Sequence, residues 1–283
     1  MAVVKANGYG HGAVAVARTA LANGAEWLGV ARLAEGIHLR ENGFDAPILV
    51  FGPTLPADAG LLIDFDLRQS ITSRDAAGAY SAAACARGRR IKAHLKFDTG
   101  MGRLGLVPAA LSGGSSPDAA GAEFIREATA IATLPGIDAE GVFTHFAAAD
   151  SADLSSAKRQ LAIFREVLER LRSAGLEFAI RHAANSAGVI ALPEAHLDLV
   201  RPGIAVYGLN PSDEIDLQGV DLRPAMALKA RLIQVKRVPA GFSVSYGMTH
   251  RTPQPTTIAT VPAGYADGLN RSLSNRGQML VHG

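Results

Sequence analysis

Ala2-Val3-Val4-Lys5-Ala6-Asn7-Gly8-Tyr9-Gly10-His11-Gly12 sets one lysine at the end of an apolar, β-branched run and follows it at once with a glycine-rich turn. The run reads as a strand, and the end of such a strand is where a barrel or an open α/β sheet presents side chains at its mouth. An amine there can be partly desolvated and shifted toward its neutral, nucleophilic form. From these residues alone, a strand-end lysine pointing into water is the commoner reading.

Outward from this strand, short apolar runs alternate with alanine-rich segments of helical periodicity, roughly one pair every thirty residues, which is the rhythm of βα units. The spacing predicts strands near 1–6, 26–31, 47–52, 67–72, 92–98, 140–146, 178–184 and 197–207, with helices at 12–23, 33–42, 73–87, 122–133 and 153–174. In the last of these, Leu161, Phe164, Val167, Leu168 and Leu171 share one face, and Lys158, Arg159, Glu166, Glu169 and Arg170 lie opposite. Eight strands favour a closed α/β barrel of the (β/α)8 TIM type over an open sheet. Residues 111–121 lack periodicity and are rich in turn formers, so they read as an exposed loop. After about residue 222 the pattern alternates from Met226 to Arg237, and Pro, Gly and Thr then punctuate short strands. That change predicts a barrel over 1–221 and the start of an all-β C-terminal domain over 222–283.

The 283 residues are 48% hydrophobic and 19% charged, enough to bury a substantial core, and the net charge is +2 with Lys and Arg scattered among acidic residues. No basic run or face suggests nucleic acid. Cys85 is the only cysteine, so there is no intrachain disulfide and no thiolate metal cluster. There is no signal-peptide pattern and no apolar run long enough to span a bilayer. A cytoplasmic enzyme without membrane association is the expectation.

Val3-Val4-Lys5-Ala6-Asn7-Gly8-Tyr9-Gly10-His11-Gly12 closely resembles the pyridoxal phosphate lysine segment of the alanine racemase family. The resemblance continues in order through Lys96-Phe97-Asp98-Thr99-Gly100-Met101-Gly102-Arg103-Leu104-Gly105, Phe143-Thr144-His145-Phe146, Ala184-Asn185-Ser186-Ala187-Gly188, Val200-Arg201-Pro202-Gly203-Ile204 and Gly264-Tyr265-Ala266-Asp267-Gly268. All but the last fall at the carboxyl ends of predicted barrel strands, where βα loops converge, so strand counting and motif matching agree.

The resemblance implies pyridoxal 5'-phosphate as cofactor, held by Lys5, Tyr9, Arg103, His145, Asn185, Ser186, Arg201, Gly203 and Ile204. Ser186 would meet the phosphate through its hydroxyl, Gly203 and Ile204 through their amides, and Tyr9 through its phenol. A helix N-cap for Ser186 and packing over the barrel mouth for Tyr9 are the plainer roles these residues could have. Arg201 would face the cofactor's ring nitrogen. A guanidinium has no acceptor and stays charged, so it keeps that nitrogen unprotonated and limits side reactions of the carbanion. Arg103 would bind the phenolic oxygen and lie near the substrate carboxylate. Lys96 would be carbamylated to position Arg103, unless it forms a plain Lys96–Asp98 surface pair.

Inverting a stereocentre by proton transfer needs an acid–base group on each face of Cα. The resemblance makes these Lys5 and Tyr265, the latter from the partner subunit of a homodimer, with His145 linking it to Arg201. Read locally, Tyr265 could equally be a surface tyrosine on a β-turn. His11 and His182 match family positions without an assigned role, and neither shows metal-ligand spacing. The implied activity is L- to D-alanine interconversion, supplying peptidoglycan. A serine or broad-specificity racemase has the same parts. A non-catalytic pyridoxal phosphate barrel, or a weakly active short racemase, would also carry many of these motifs. Tyr265 and the β segment after residue 222 count against the first of these, because such proteins end with the barrel; family members usually begin earlier and continue well past the equivalent of Gly283, which keeps the second in view.

Overall fold

The computed structural model describes residues 1–108 and 117–281, and divides into two compact units, Met1–Met226 and Ala227–Gly283. In the first unit seven strands pair in sequence order, every neighbour parallel: β1 (Ala2–Val3), β2 (Leu28–Val30), β3 (Ile48–Val50), β4 (Arg68–Ile71), β5 (Ile91–Lys96), β6 (Ile137–Phe143) and β7 (Ile180–His182). β1, β2 and β3 fall within apolar runs of the sequence, whereas β4, β5 and β7 carry polar residues among the apolar ones. Buried on both faces, residues such as Leu28, Ile48, Leu49 and Val50 are fully inside.

The eighth run forms no regular strand. Its backbone bonds on both sides nonetheless: Asp198 and Arg201 amides donate to Arg181 and Ala184 of the β7 side, and the Met1 ammonium and the Val3 amide donate to the Val200 and Pro202 carbonyls. The Arg201-Pro202-Gly203 sequence limits the ladder, since Pro202 has no N–H to donate. Residues 204–207, expected to continue the strand, make a 3-10 turn instead.

Among the described residues the helices that follow or flank these strands, besides a turn after β1, are α2 (Ala13–Ala22), α3 (Leu33–Glu41), α4 (Ala59–Asp64), α5 (Arg74–Cys85), α6 (Pro117–Ala132), α7 (Ser155–Ser173) and α8 (Ser186–Ala191). In α7 the predicted stripe is buried at Leu161, Phe164, Val167 and Leu171. Helix α4 hid in the sequence behind Pro53 and Pro56, and α8 behind its short length. Of the 111–121 segment, Pro117 already opens α6, and 109–116 lie outside the described residues.

The segment after β1 departs most from expectation. Lys5 belongs not to a strand but to a single helical turn, α1 (Lys5–Tyr9), whose interior is left-handed: φ is 52° at Ala6, 53° at Asn7, 61° at Gly8 and 52° at Tyr9. Left-handed backbone costs roughly 1–2 kcal/mol for each ordinary L-residue, less for Asn, so outside contacts must hold it.

The second unit contains β8 (Gln234–Val238) paired antiparallel with β11 (Thr256–Thr260), and β9 (Ser243–Val244) paired with β10 (His250–Arg251). Thr252 ties the hairpin together, its hydroxyl donating to Pro239 O and accepting from the Phe242 amide. Among the described residues no helix is long and apolar enough to cross a membrane.

Candidate active site at the barrel mouth

A cavity of roughly 470 Å³ opens at the carboxyl ends of the strands, within the size range of small-molecule sites. Lys5, Tyr9, Lys96, Arg103, His145, Asn185, Ser186, Arg201, Gly203 and Ile204 all line it. The barrel residues given a role at the cofactor in the sequence are therefore brought to one place, while His11 and His182 lie outside its lining. Tyr265 belongs to the other unit, where it opens a short 3-10 turn, Tyr265–Asp267, with its ring exposed and the Arg271 guanidinium 5.8 Å from the ring centre. That local setting is close to the surface turn of the plainer reading.

Arg201 is the deepest of these groups, 3% exposed. Nη1 donates to His182 Nδ1 at 2.7 Å, and Nη2 faces the Thr144 and Ala183 carbonyls at 2.7 and 3.0 Å and His145 Nδ1 at 3.2 Å. Burial lowers its pKa to about 9, so it remains a cation at neutral pH. Its Nε–H has no hydrogen-bond partner among the described residues.

Behind Arg201 lies a chain of polar groups that sequence reading missed. His182 Nε2 meets His94 Nδ1 at 2.7 Å, and His94 Nε2 meets Glu140 Oε1 at 3.3 Å. Arg201 can only donate, so His182 Nδ1 must accept and its Nε2 carries the hydrogen; His94 in turn gives its own N–H to the carboxylate. Both rings are neutral: burial, foremost, depresses His94 and holds His182 well below the usual histidine range, with the Arg201 charge adding to both. Burial raises the Glu140 carboxyl, but the bonds from His94 and Arg68 more than offset it and leave it below the ordinary value.

A shift in the β5–β6 register makes room for this chain. Ala93 pairs with Ala139 and His94 with Gly141, so Glu140 is the extra residue of the bulge. A Cβ on Gly141 would sit 2.4 Å from the His94 ring. The available signal was polar residues, His94, Glu140 and His182, interrupting otherwise apolar strands.

His145 is held neutral, its pKa lowered to about 3 by burial first and then by the Arg201, Lys96, Arg103 and Lys5 charges. Gln160 fixes its loop, accepting from the Ala147 amide and donating to the His145 carbonyl. Lys96 is 4% exposed, and burial followed by Arg103 and Arg201 lowers its pKa to about 8. The Lys96–Asp98 surface pair is thereby excluded. Asp98 instead accepts the amides of Gly100, Met101 and Gly102 on one oxygen and of Arg103 on the other, shaping the loop that carries Arg103.

The N-cap reading of Ser186 is also corrected. Asn185 is the cap of α8, its side chain accepting from the Gly188 amide, while Ser186 Oγ accepts from the Gly203 and Ala205 amides. Tyr9 packs against Tyr207 with ring centres 4.9 Å apart, and its hydroxyl lies where a Cβ on Gly203 would come within 2.6 Å. Glycine at 203 thus lets phenol, hydroxyl and backbone amides crowd one corner of the cavity.

These features suit a small anionic molecule. Hydroxyl, phenol and amide donors gather at the corner near Ser186, a free guanidinium N–H lies deep within, and a lysine stands at the mouth among further cations. Such a cavity at the carboxyl ends of parallel strands defines an α/β barrel with a cation-lined site for a small anionic molecule. The families described as alanine racemase, N-terminal domain, and alanine racemase, C-terminal domain, match residues 1–211 and 225–283. The alanine racemase of Desulfosudis oleivorans is 53% identical over 283 residues, covering all of this chain and 72% of its own; that of Methanococcus maripaludis is 41% identical, with 100% and 72% covered. The alanine racemase of Streptomyces coelicolor superposes with a TM-score of 0.89 at 41% identity, over all of this chain and 73% of that one. The chain belongs to the alanine racemase family, and with it to the isomerases.

Proposed function

We propose that the protein interconverts L- and D-alanine in the cytoplasm, using pyridoxal 5'-phosphate and two proton-transfer groups, and so supplies D-alanine for peptidoglycan. The observation that carries this reading is the convergence of Lys5, Arg201 and the Ser186–Gly203 corner on one cavity, in a chain of this family. The barrel over 1–221 would bind the cofactor, and the β unit from 222 onward would contribute Tyr265.

Ser186, Tyr9 and the Gly203 and Ile204 amides would hold the phosphate, which would share or displace the bond now joining Gly203 N to Ser186 Oγ. Arg201 Nε–H would meet the ring nitrogen, and Arg103 the phenolic oxygen and the substrate carboxylate. Asn185 would keep the phosphate corner in place by capping α8. When bound, the cofactor supplies an electron sink that acidifies the Cα–H of the amino acid. Lys5 Nζ would take or return the Cα proton on one face. The Tyr265 phenol of the partner subunit would do so on the other, within a homodimer, and His145, accepting from Arg201 at Nδ1, keeps an Nε2–H free to orient that phenol.

Lys96 would carry a carbamate, its Nζ bonding the carbon of CO2 with release of a proton. Only the neutral amine attacks, so with a pKa of about 8 the reactive fraction grows as pH rises through that value. In isotope-labelled bicarbonate, a carbamate carbon resonance should strengthen over that range and vanish in Lys96→Ala. No resonance at any pH would remove the carbamate from the account.

The primary test is proton NMR of L-alanine in heavy water with the cofactor-loaded chain, alongside chiral analysis. Loss of the Cα proton together with D-alanine is the expected result. Visible absorbance without exchange would leave a cofactor-binding barrel and overturn the racemase reading.

A further inference from the structure

Glu35 sits in the first turn of α3, where a glutamate ordinarily reaches back to the amides at the start of its own helix. One oxygen does this: Oε2 accepts from the Ala31 amide at 2.7 Å and from Arg32 at 3.0 Å. The other is exported. Oε1 accepts from the Ala6 amide at 2.6 Å, 29 residues earlier in the chain, directly after Lys5. Ala6 is the residue at which the backbone enters its left-handed stretch, φ 52° and ψ 49°. At the next residue Asn7 Oδ1 accepts from the Ala13 amide at 2.9 Å, tying the turn to α2.

We propose that Glu35 is a positioning residue for Lys5: one carboxylate both caps α3 and clamps the left-handed turn that presents the lysine to the cavity. The turn is unfavourable for Ala6 and is not explained by local sequence, so something outside it must fix its entry. Released there, Ala6 would relax toward ordinary φ, and the Lys5 side chain would lose its fixed origin. An angular change at its Cα grows along a four-carbon stem into a displacement at Nζ that a proton transfer does not tolerate. The inference deepens the proposed function, since it concerns the same lysine.

The test uses Glu35→Gln and Glu35→Asp in the full chain. Glutamine has a single acceptor oxygen and cannot receive amides at both ends. Aspartate keeps the charge and the reach to its own helix but is too short for Ala6, which separates capping from clamping and guards against a variant that fails to fold. Without cofactor, deuterium exchange of the Ala6 amide should quicken about tenfold or more in both variants, the loss of a charge-assisted bond, while β5 and β6 stay protected. Reductive labelling of Lys5 by pyridoxal 5'-phosphate and borohydride, counted by peptide mass, should slow about tenfold while labelling of exposed Lys158 is unchanged. Unchanged Ala6 exchange, or faster exchange with Lys5 labelled at the wild-type rate, overturns the clamp. Neither readout depends on turnover. If the wild-type chain failed to racemise alanine, the proposed function would fall while the assignment of Glu35 was still decided.

Discussion

Lys5→Ala is expected to abolish both the visible absorbance of bound pyridoxal 5'-phosphate and the exchange of the alanine Cα proton. The side chain stands at the mouth of the cavity, its Nζ 5.7 Å from the centre of the Tyr9 ring. The proposed function gives it two tasks, tethering the cofactor and moving a proton on one face. Removing one positioned acid–base group typically costs a factor of 10²–10⁴, so loss of both tasks should cost at least about 10⁴-fold. The fold should survive, because Lys5 makes no hydrogen bond through its side chain among the described residues. Unaltered absorbance in a well-folded Lys5→Ala chain would place the reactive amine elsewhere, with buried Lys96, whose pKa is lowered to about 8, the next to examine.

Tyr265→Phe tests the second base and should act differently. Racemisation should fall by about 10²- to 10⁴-fold, as expected for deletion of one acid–base group. The absorbance should persist, since the cavity residues of the barrel are untouched. Net conversion must slow equally in both directions, because the two enantiomers have equal free energies. The distinguishing measurement is therefore solvent exchange without inversion: one enantiomer should still exchange its Cα proton through Lys5, and the other should not. Equal loss for both would argue against assigning one group to each face. Mixing the Lys5→Ala and Tyr265→Phe chains should restore part of the activity if each site draws on two subunits, and no recovery would put both groups in one chain.

The barrel was legible because a buried parallel strand has a strong signature, and Leu28-Gly29-Val30 and Ile48-Leu49-Val50 carry it between helical segments of the right length. The cavity residues were legible because ordered motifs fell at strand ends, the one place where eight loops converge. What escaped were features set by tertiary context. No propensity marks Ala6 for positive φ, and the condition that permits it, an oxygen of Glu35, lies in another βα unit. His182 matched the family without a visible purpose, because its partners His94 and Arg201 lie 88 and 19 residues away and meet it only inside the barrel, and Glu140 joins the chain through His94 at a bulge. The plainer alternative for Ser186, a helix N-cap, could not be told from the sequence because either Asn185 or Ser186 is a good cap, and only the nearness of Gly203 separates them.

The closure of the barrel carries a consequence for how the protein comes into being. Val3 bonds Pro202, and the Tyr207 hydroxyl bonds the Val3 carbonyl at 3.0 Å, so the first strand finds its second neighbour about two hundred residues later. Contacts of that separation are formed slowly, since the whole intervening chain must be gathered before they return any free energy. A nascent chain lacking residues beyond 200 would keep β1 with one flank unpaired. It would have Lys5 but neither Arg201 nor Gly203, so the cavity at the barrel mouth is completed only together with the seam that closes the barrel.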